Sequence, residues 1–171
     1  MPYKVEQDWE IFDYRCVVIM SEMGHRCGYV GVNENHPFFN LQYDEELPIK
    51  FRTLWEKIKG MPIGKRGAID ILCCIGNKPK VGILFNVHGG ITYSSKKTPD
   101  DYPVKSDLWW FGFDCAHYGD AKDLSVVSES IKEIELTFMT GGVVRSLEYC
   151  IAECGNLAIQ LKDIENEFEK R

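Results

Sequence analysis

The sequence predicts an α+β fold: a curved, mainly antiparallel sheet with a long amphipathic helix at its C-terminal end. Short apolar and aromatic runs at residues 15–20, 25–32 and 109–117 are bounded by Gly, Asn and Pro, the pattern of strands and turns. Two adjacent glycines, Gly89 and Gly90, interrupt a strand-like segment. Val144, Leu147, Ile151, Cys154, Ala158, Leu161, Ile164 and Phe168 recur at steps of three and four, the apolar stripe of a helix. With 171 residues, 44% hydrophobic content and no internal repeat or low-complexity linker, residues 1–171 are expected to form one domain around a sizeable core.

Residues 1–14 are polar and acidic with an aromatic cluster, and suit a short helix or an arm on the body. Residues 15–20 form a buried strand, and residues 25–32 a second strand antiparallel to it. The loop at 33–37 follows from its asparagines and from Pro37, which pushes His36 out of helical geometry. Residues 38–48 are irregular; residues 48–52 suit a strand and 53–59 a short amphipathic helix. Residues 68–75 and 81–87 resemble a strand pair, and residues 128–139 a helix or the end of a strand. Gly155 weakens the last helix by about 1 kcal/mol relative to Ala, which suggests a kink or close packing there.

The stretch Trp109-Trp110-Phe111-Gly112-Phe113-Asp114-Cys115-Ala116-His117-Tyr118-Gly119-Asp120 begins as an aromatic strand and ends in ionisable residues. Strand alternation puts Trp109, Phe111, Phe113, Cys115 and His117 on one face, and Trp110, Gly112, Asp114 and Ala116 on the other. One indole is then expected in the core and the other on a pocket wall. The two glycines after His88 suggest a bulge or a close approach by a second backbone or a ligand.

The formal charge of −6 argues against a nucleic-acid binder. Ten bases face two acids between Lys50 and Lys97, a local +8 that leaves −14 on the rest of the chain. Such a field suits a phosphate-bearing small molecule, although charge runs are commonly solvated loops. No run approaches the ~20 apolar residues of a membrane helix, and the first residues lack the apolar segment of a signal peptide. A cytoplasmic protein with no membrane partner is expected. Seven cysteines, with Cys73-Cys74 in an apolar run and Cys150 and Cys154 on a helical face, fit buried thiols better than a disulfide framework.

All four histidines, His25, His36, His88 and His117, fall near these glycine and aromatic motifs. Imidazole serves readily as acid, base or ligand near neutral pH. His25-x-Cys27 and Cys115-x-His117 make a Cys2His2 set on paper, but the spacing is not that of zinc sites. Strand residues two apart also diverge by about 6–7 Å, so no metal is expected. Cys115 as a nucleophile would need an imidazole beside it, with His88 better placed than His117; a plain buried thiol is the simpler reading. Asp120 follows Gly119 and suits a strand-end loop, where it reaches a ligand or caps a turn. No Walker loop, dinucleotide glycine fingerprint, HExxH or Gly-x-Ser-x-Gly pattern is present, and no cofactor is expected.

Three segments, Cys27-Gly28-Tyr29-Val30-Gly31-Val32 with His36-Pro37, Val87-His88-Gly89-Gly90-Ile91-Thr92-Tyr93-Ser94, and residues 109–120, together resemble a family of small soluble proteins encoded largely by bacteriophages and also found in bacterial genomes. The resemblance implies a phage context, hence a host cytoplasm, and treats the three motifs as one site. It implies no activity and no catalytic assignment.

The leading expectation is a protein that sequesters a nucleotide-like, phosphate-bearing ligand, in a phage setting a host antiviral-defence signal. Its site would comprise His25, Gly28, Tyr29, His36, His88, Gly89, Gly90, Thr92, Trp109, Trp110, Asp114, His117 and Asp120. An indole would stack on the base, glycine amides would hold phosphate, and Lys65, Arg66, Lys96 and Lys97 would supply charge. The second expectation is a small hydrolase of phosphoester, glycosidic or amide bonds, using His88 and His117 with Asp114, Asp120 or Cys115. A third, a protein inhibitor whose acidic termini imitate nucleic acid, has too modest a charge behind it. The C-terminal helix could equally serve as the surface of a homo-oligomer.

Overall fold

The computed structural model describes residues 3–58, 79–95, 102–137 and 141–169. Five antiparallel strands form one open sheet in the order β1-β2-β3-β5-β4. They are β1 (Tyr3–Ile11), β2 (Tyr14–Ser21), β3 (Arg26–Val32), β4 (Tyr93–Ser95) and β5 (Trp109–Asp114). Among the described residues the helices are α1 (Arg52–Ile58), α2 (Glu129–Thr137) and α3 (Leu147–Glu169). The α+β architecture expected from the sequence is therefore present, with α3 against β1, β2 and β3.

Alternation along β5 holds as expected. Trp109, Phe111, Phe113 and Cys115 join Cys16, Val18, Val30 and Val32 on the face that α3 covers with Cys150, Cys154, Leu157, Leu161 and Ile164. Trp110 joins Val17, Ile19, Cys27 and Tyr29 on the opposite face, which Tyr93, Tyr102, Val104 and Leu108 cover. Two-sided burial explains why β2 and β5 are near-continuous apolar runs rather than alternating ones. The helix comes close because Gly28 has no side chain: a Cβ there would lie 2.7 Å from Cys154 Sγ and 2.5 Å from Phe113 Cζ.

Several local expectations are corrected. Residues 3–11 are an edge strand rather than a helix or arm; the pairing with β2 slips between Val5 and Gln7, and the bulge breaks the alternation that would have revealed it. Residues 49–51 form a 3₁₀ turn leading into α1, not a strand. Residues 81–84 also form a 3₁₀ turn, buried on all sides, with Val81 N–H donating to Glu45 O at 3.1 Å and Gly82 N–H to Tyr43 O at 2.7 Å. A short run buried throughout carries no period that separates strand from turn. Gly155 lies within an unbroken α3, and a Cβ there would meet nothing within 4 Å, so it is not a point of close packing. The expected strand at 68–75, with Cys73 and Cys74, and the cations Lys65, Arg66, Lys96 and Lys97 lie outside the described residues. No helix among the described residues is long and apolar enough to cross a membrane.

Candidate functional site

The site forms where β5 ends and the chain turns through residues 115–120, beside the segment that carries His88 and beneath the start of α3. Gly119, at φ +89°, lets the turn close, with Asp120 N–H donating to His117 O at 2.9 Å. The strap that leads into α3 crosses this turn: Val143 N–H donates to Gly119 O and Ala121 N–H to Val143 O, both at 3.0 Å. That crossing delivers Arg145. Residues 86–88 belong to none of the described strands, and polar side chains of α3 bond their backbone. Gln160 Oε1 accepts from Asn86 N–H at 2.8 Å, Asn156 Nδ2 donates to Asn86 O at 2.8 Å, and the buried Glu153 accepts from His88 N–H at 2.9 Å.

His88 is buried and engaged at both ring nitrogens. Nε2 lies 2.8 Å from Asp120 Oδ2, and Nδ1 lies 3.0 Å from the Tyr149 hydroxyl. The Asp120 side chain is only 3% exposed. It also accepts from Arg145 Nε on Oδ1 at 2.7 Å and from His117 N–H on Oδ2 at 2.9 Å. Burial pushes its carboxyl up, but the hydrogen bonds from His88, Arg145 and the His117 amide outweigh it and hold the group below its usual range. Asp120 is therefore ionised at neutral pH and accepts a hydrogen bond from Nε2–H of His88; with the ring proton held there, Nδ1 is the atom that accepts from Tyr149.

Around this line stand the other expected residues. The His117 ring is centred 5.6 Å from that of His88, and its Nε2 sits 3.6 Å from Asp114 Oδ1, too long for a hydrogen bond. Asp114 is fixed by Thr92 Oγ1 on Oδ2 at 2.8 Å and by Ala116 N–H on Oδ1 at 3.1 Å. His25 is half-buried, and burial lowers its pKa against the opposing pull of Asp114. The ring nitrogens His117 Nε2 and His25 Nδ1 are buried and have no hydrogen-bond partner among the described residues. Gly89, at φ +67°, passes so close to His117 that a Cβ would overlap its Nε2. Gly90, at φ +89°, spends its N–H on Val87 O at 3.1 Å, so that amide is not available to hold phosphate.

Five expected residues fall elsewhere. Trp109 and Trp110 are both buried; their indole N–H groups donate to Leu41 O and Ser106 Oγ, each at 3.0 Å. Neither offers a face to a base, because both faces of the sheet are covered. Gly28 packs under α3, and Tyr29 lies on the opposite face, hydrogen-bonded to Tyr102. His36 is structural: Nδ1 accepts from Phe38 N–H at 3.1 Å and Nε2 donates to Leu161 O at 3.2 Å. Leu161 lies twelve residues along α3 from Tyr149, about 18 Å at the helical rise. Cys115 is buried with its sulfur 3.6 Å from that of Cys150. The hydrogen bond with Cys150 and burial both raise its pKa, so it is a poor nucleophile. Cys27 points to the opposite sheet face from Cys115, so the paper Cys2His2 set does not converge.

Tyr149, Arg145 and Glu153 were not singled out from the sequence. Their signal was the polar row Tyr149, Glu153, Asn156 and Gln160, spaced by four, three and four along one side of α3, with a carboxylate next to the apolar stripe. No protein-family model matches the chain, and no curated protein or solved structure is significantly similar to it.

Proposed function

We propose that the protein is a small hydrolase acting on a phosphate-bearing, nucleotide-like compound. His88 handles the proton, and Asp120 orients and charges it. The observation that carries this reading is the His88 ring pinned on both nitrogens, between an ionised carboxylate and a phenol. A carboxylate so placed fixes the tautomer and stabilises the imidazolium that forms when the ring accepts a proton. Simple capture of a ligand needs no such preorganisation. The substrate class rests on the sequence charge of +8 between Lys50 and Lys97, the stretch that contains His88, and on Arg145 at the site. In the phage setting that the motifs suggest, such chemistry would remove a host nucleotide signal.

Sequestration without turnover drew on an indole face and open glycine amides. With both indoles buried and the Gly90 amide spent, the acid–base reading retains more of its parts. The two readings part in one experiment: incubate the protein with a nucleotide panel that includes cyclic dinucleotides and ADP-ribose derivatives, denature it, and identify what is released. Hydrolysis returns converted nucleotide. His88→Gln then lowers turnover by about 10²–10⁴-fold while binding persists. Stoichiometric recovery of intact nucleotide supports sequestration instead.

A further inference from the structure

We propose that Tyr149 is the nucleophile that the His88–Asp120 pair activates. This rests on the acid–base reading above and names the attacking group, which would otherwise be water. The argument starts from what is left to react. Both nitrogens of His88 are engaged, so the ring meets substrate only through one of its two partners. The Asp120 end is closed: its side chain is buried, and its oxygens already accept from His88, the His117 amide and Arg145. The Tyr149 end is half-buried, at the start of α3. Hydroxyl, imidazole and carboxylate thus stand in line at 3.0 and 2.8 Å, the order of parts in a nucleophile triad with the two ring nitrogens exchanged.

The surroundings suit a phenol that must lose its proton on demand. Burial and the Glu153 charge raise the Tyr149 pKa against the pull of Arg145, so the group rests protonated and depends on a base. The Arg145 guanidinium lies 5.1 Å from the ring centre, and the first turn of α3 presents its positive end, so both favour the phenolate once it forms.

In the first step Tyr149 Oη attacks phosphorus and a new O–P bond forms. The bond to the leaving oxygen breaks with its electron pair. The phenolic proton passes to His88 Nδ1, the resulting imidazolium stays held by Asp120, and the leaving oxygen, on the side of phosphorus away from Tyr149, takes a proton from solvent water. In the second step water attacks phosphorus and the O–P bond to Tyr149 breaks. That water gives one proton to solvent, and His88 Nδ1 returns the proton it holds to the departing phenolate, which restores the starting state. The net reaction is hydrolysis.

The test needs no natural substrate. The intact protein is treated with phenylmethanesulfonyl fluoride and, separately, with a fluorosulfonylbenzoyl adenosine, and the modified tyrosines are mapped by mass spectrometry. In either probe the phenol oxygen displaces fluoride from sulfur and the proton goes to the base. The fully exposed Tyr118 is the internal reference. Tyr149 is expected to react at least about tenfold faster than Tyr118, and His88→Gln and Asp120→Asn to remove most of that excess, the low side of what a positioned base contributes. Equal or slower reaction at Tyr149, or a rate there that ignores His88→Gln, overturns the assignment. Fast labelling with no nucleotide converted supports the nucleophile and rejects the substrate class. Turnover surviving in Tyr149→Phe rejects the nucleophile and leaves water as the attacking group.

Discussion

Replacing Asp120 by Asn tests the electrostatics of the site with almost no change of shape. Oδ1 accepts one donor, Arg145 Nε at 2.7 Å, and Oδ2 accepts two, His88 Nε2 at 2.8 Å and the His117 amide at 2.9 Å. An amide keeps one oxygen, and the arrangement that loses least turns it toward His88 and His117. The new NH₂ then faces Arg145, donor against donor. Loss of a charge-assisted hydrogen bond costs about 1.5–3 kcal/mol, and stripping one partner from a buried ion pair about 3–5. The Arg145 side chain is 27% exposed and can turn into water, which favours the lower figure. The expected cost is about 2–3 kcal/mol at pH 7, or about 4–12 °C in Tm for a chain of this size.

The pH dependence separates this cost from a packing defect. The folded pKa of Asp120 is depressed below its unfolded value of about 3.9, so its stabilisation is complete above that value and is lost as pH falls through the folded pKa. Asn at this position does not titrate. Urea denaturation from pH 7 to pH 3 should therefore show wild type and variant converging below about pH 4. A difference under about 0.5 kcal/mol at pH 7, the size of an ordinary surface substitution, would refute the reasoning, as would a gap that stays constant into acid.

Three glycine substitutions probe the surrounding architecture. Gly89→Ala combines a left-handed backbone with a clash against His117, and should cost about 2–4 kcal/mol by equilibrium denaturation. Gly119→Ala shares the positive φ but meets nothing within 4 Å, so it should cost about 1–2 kcal/mol; equal losses at the two positions would contradict the close approach of Gly89 to His117. Gly155→Ala, in the interior of α3 with open space around it, should stabilise by about 1 kcal/mol, and a destabilised variant would mean that the position is packed after all.

The legible parts of this chain are those whose signal is local and periodic. Residues 15–20 and 25–32 and the stripe from Leu147 to Phe168 carry a period or an unbroken apolar run, and the structure has β2, β3 and α3 there. Meeting of His88, His117 and Asp120 was readable as well, since glycines beside histidines mark a backbone that another group approaches closely. β1 was hidden because its bulge breaks the alternation, and its pairing, not its own apolar content, holds it in the sheet. Burial of the second indole, Trp110, depends on residues 102–108 covering the far face of the sheet, a contact that no pattern within residues 109–114 announces. Tyr149 and Arg145 read as ordinary helix-start residues until the 141–146 strap crosses the Gly119 turn and brings them to His88.

Nitrogen-15 NMR of the imidazole rings at neutral pH tests the hydrogen-bonded line from Asp120 through His88 to Tyr149 most directly. It should find His88 fixed with its proton on Nε2, that proton shifted downfield and protected from exchange, and both features lost in Asp120→Asn. A His88 ring that averages its two tautomers and exchanges freely with water would contradict the account.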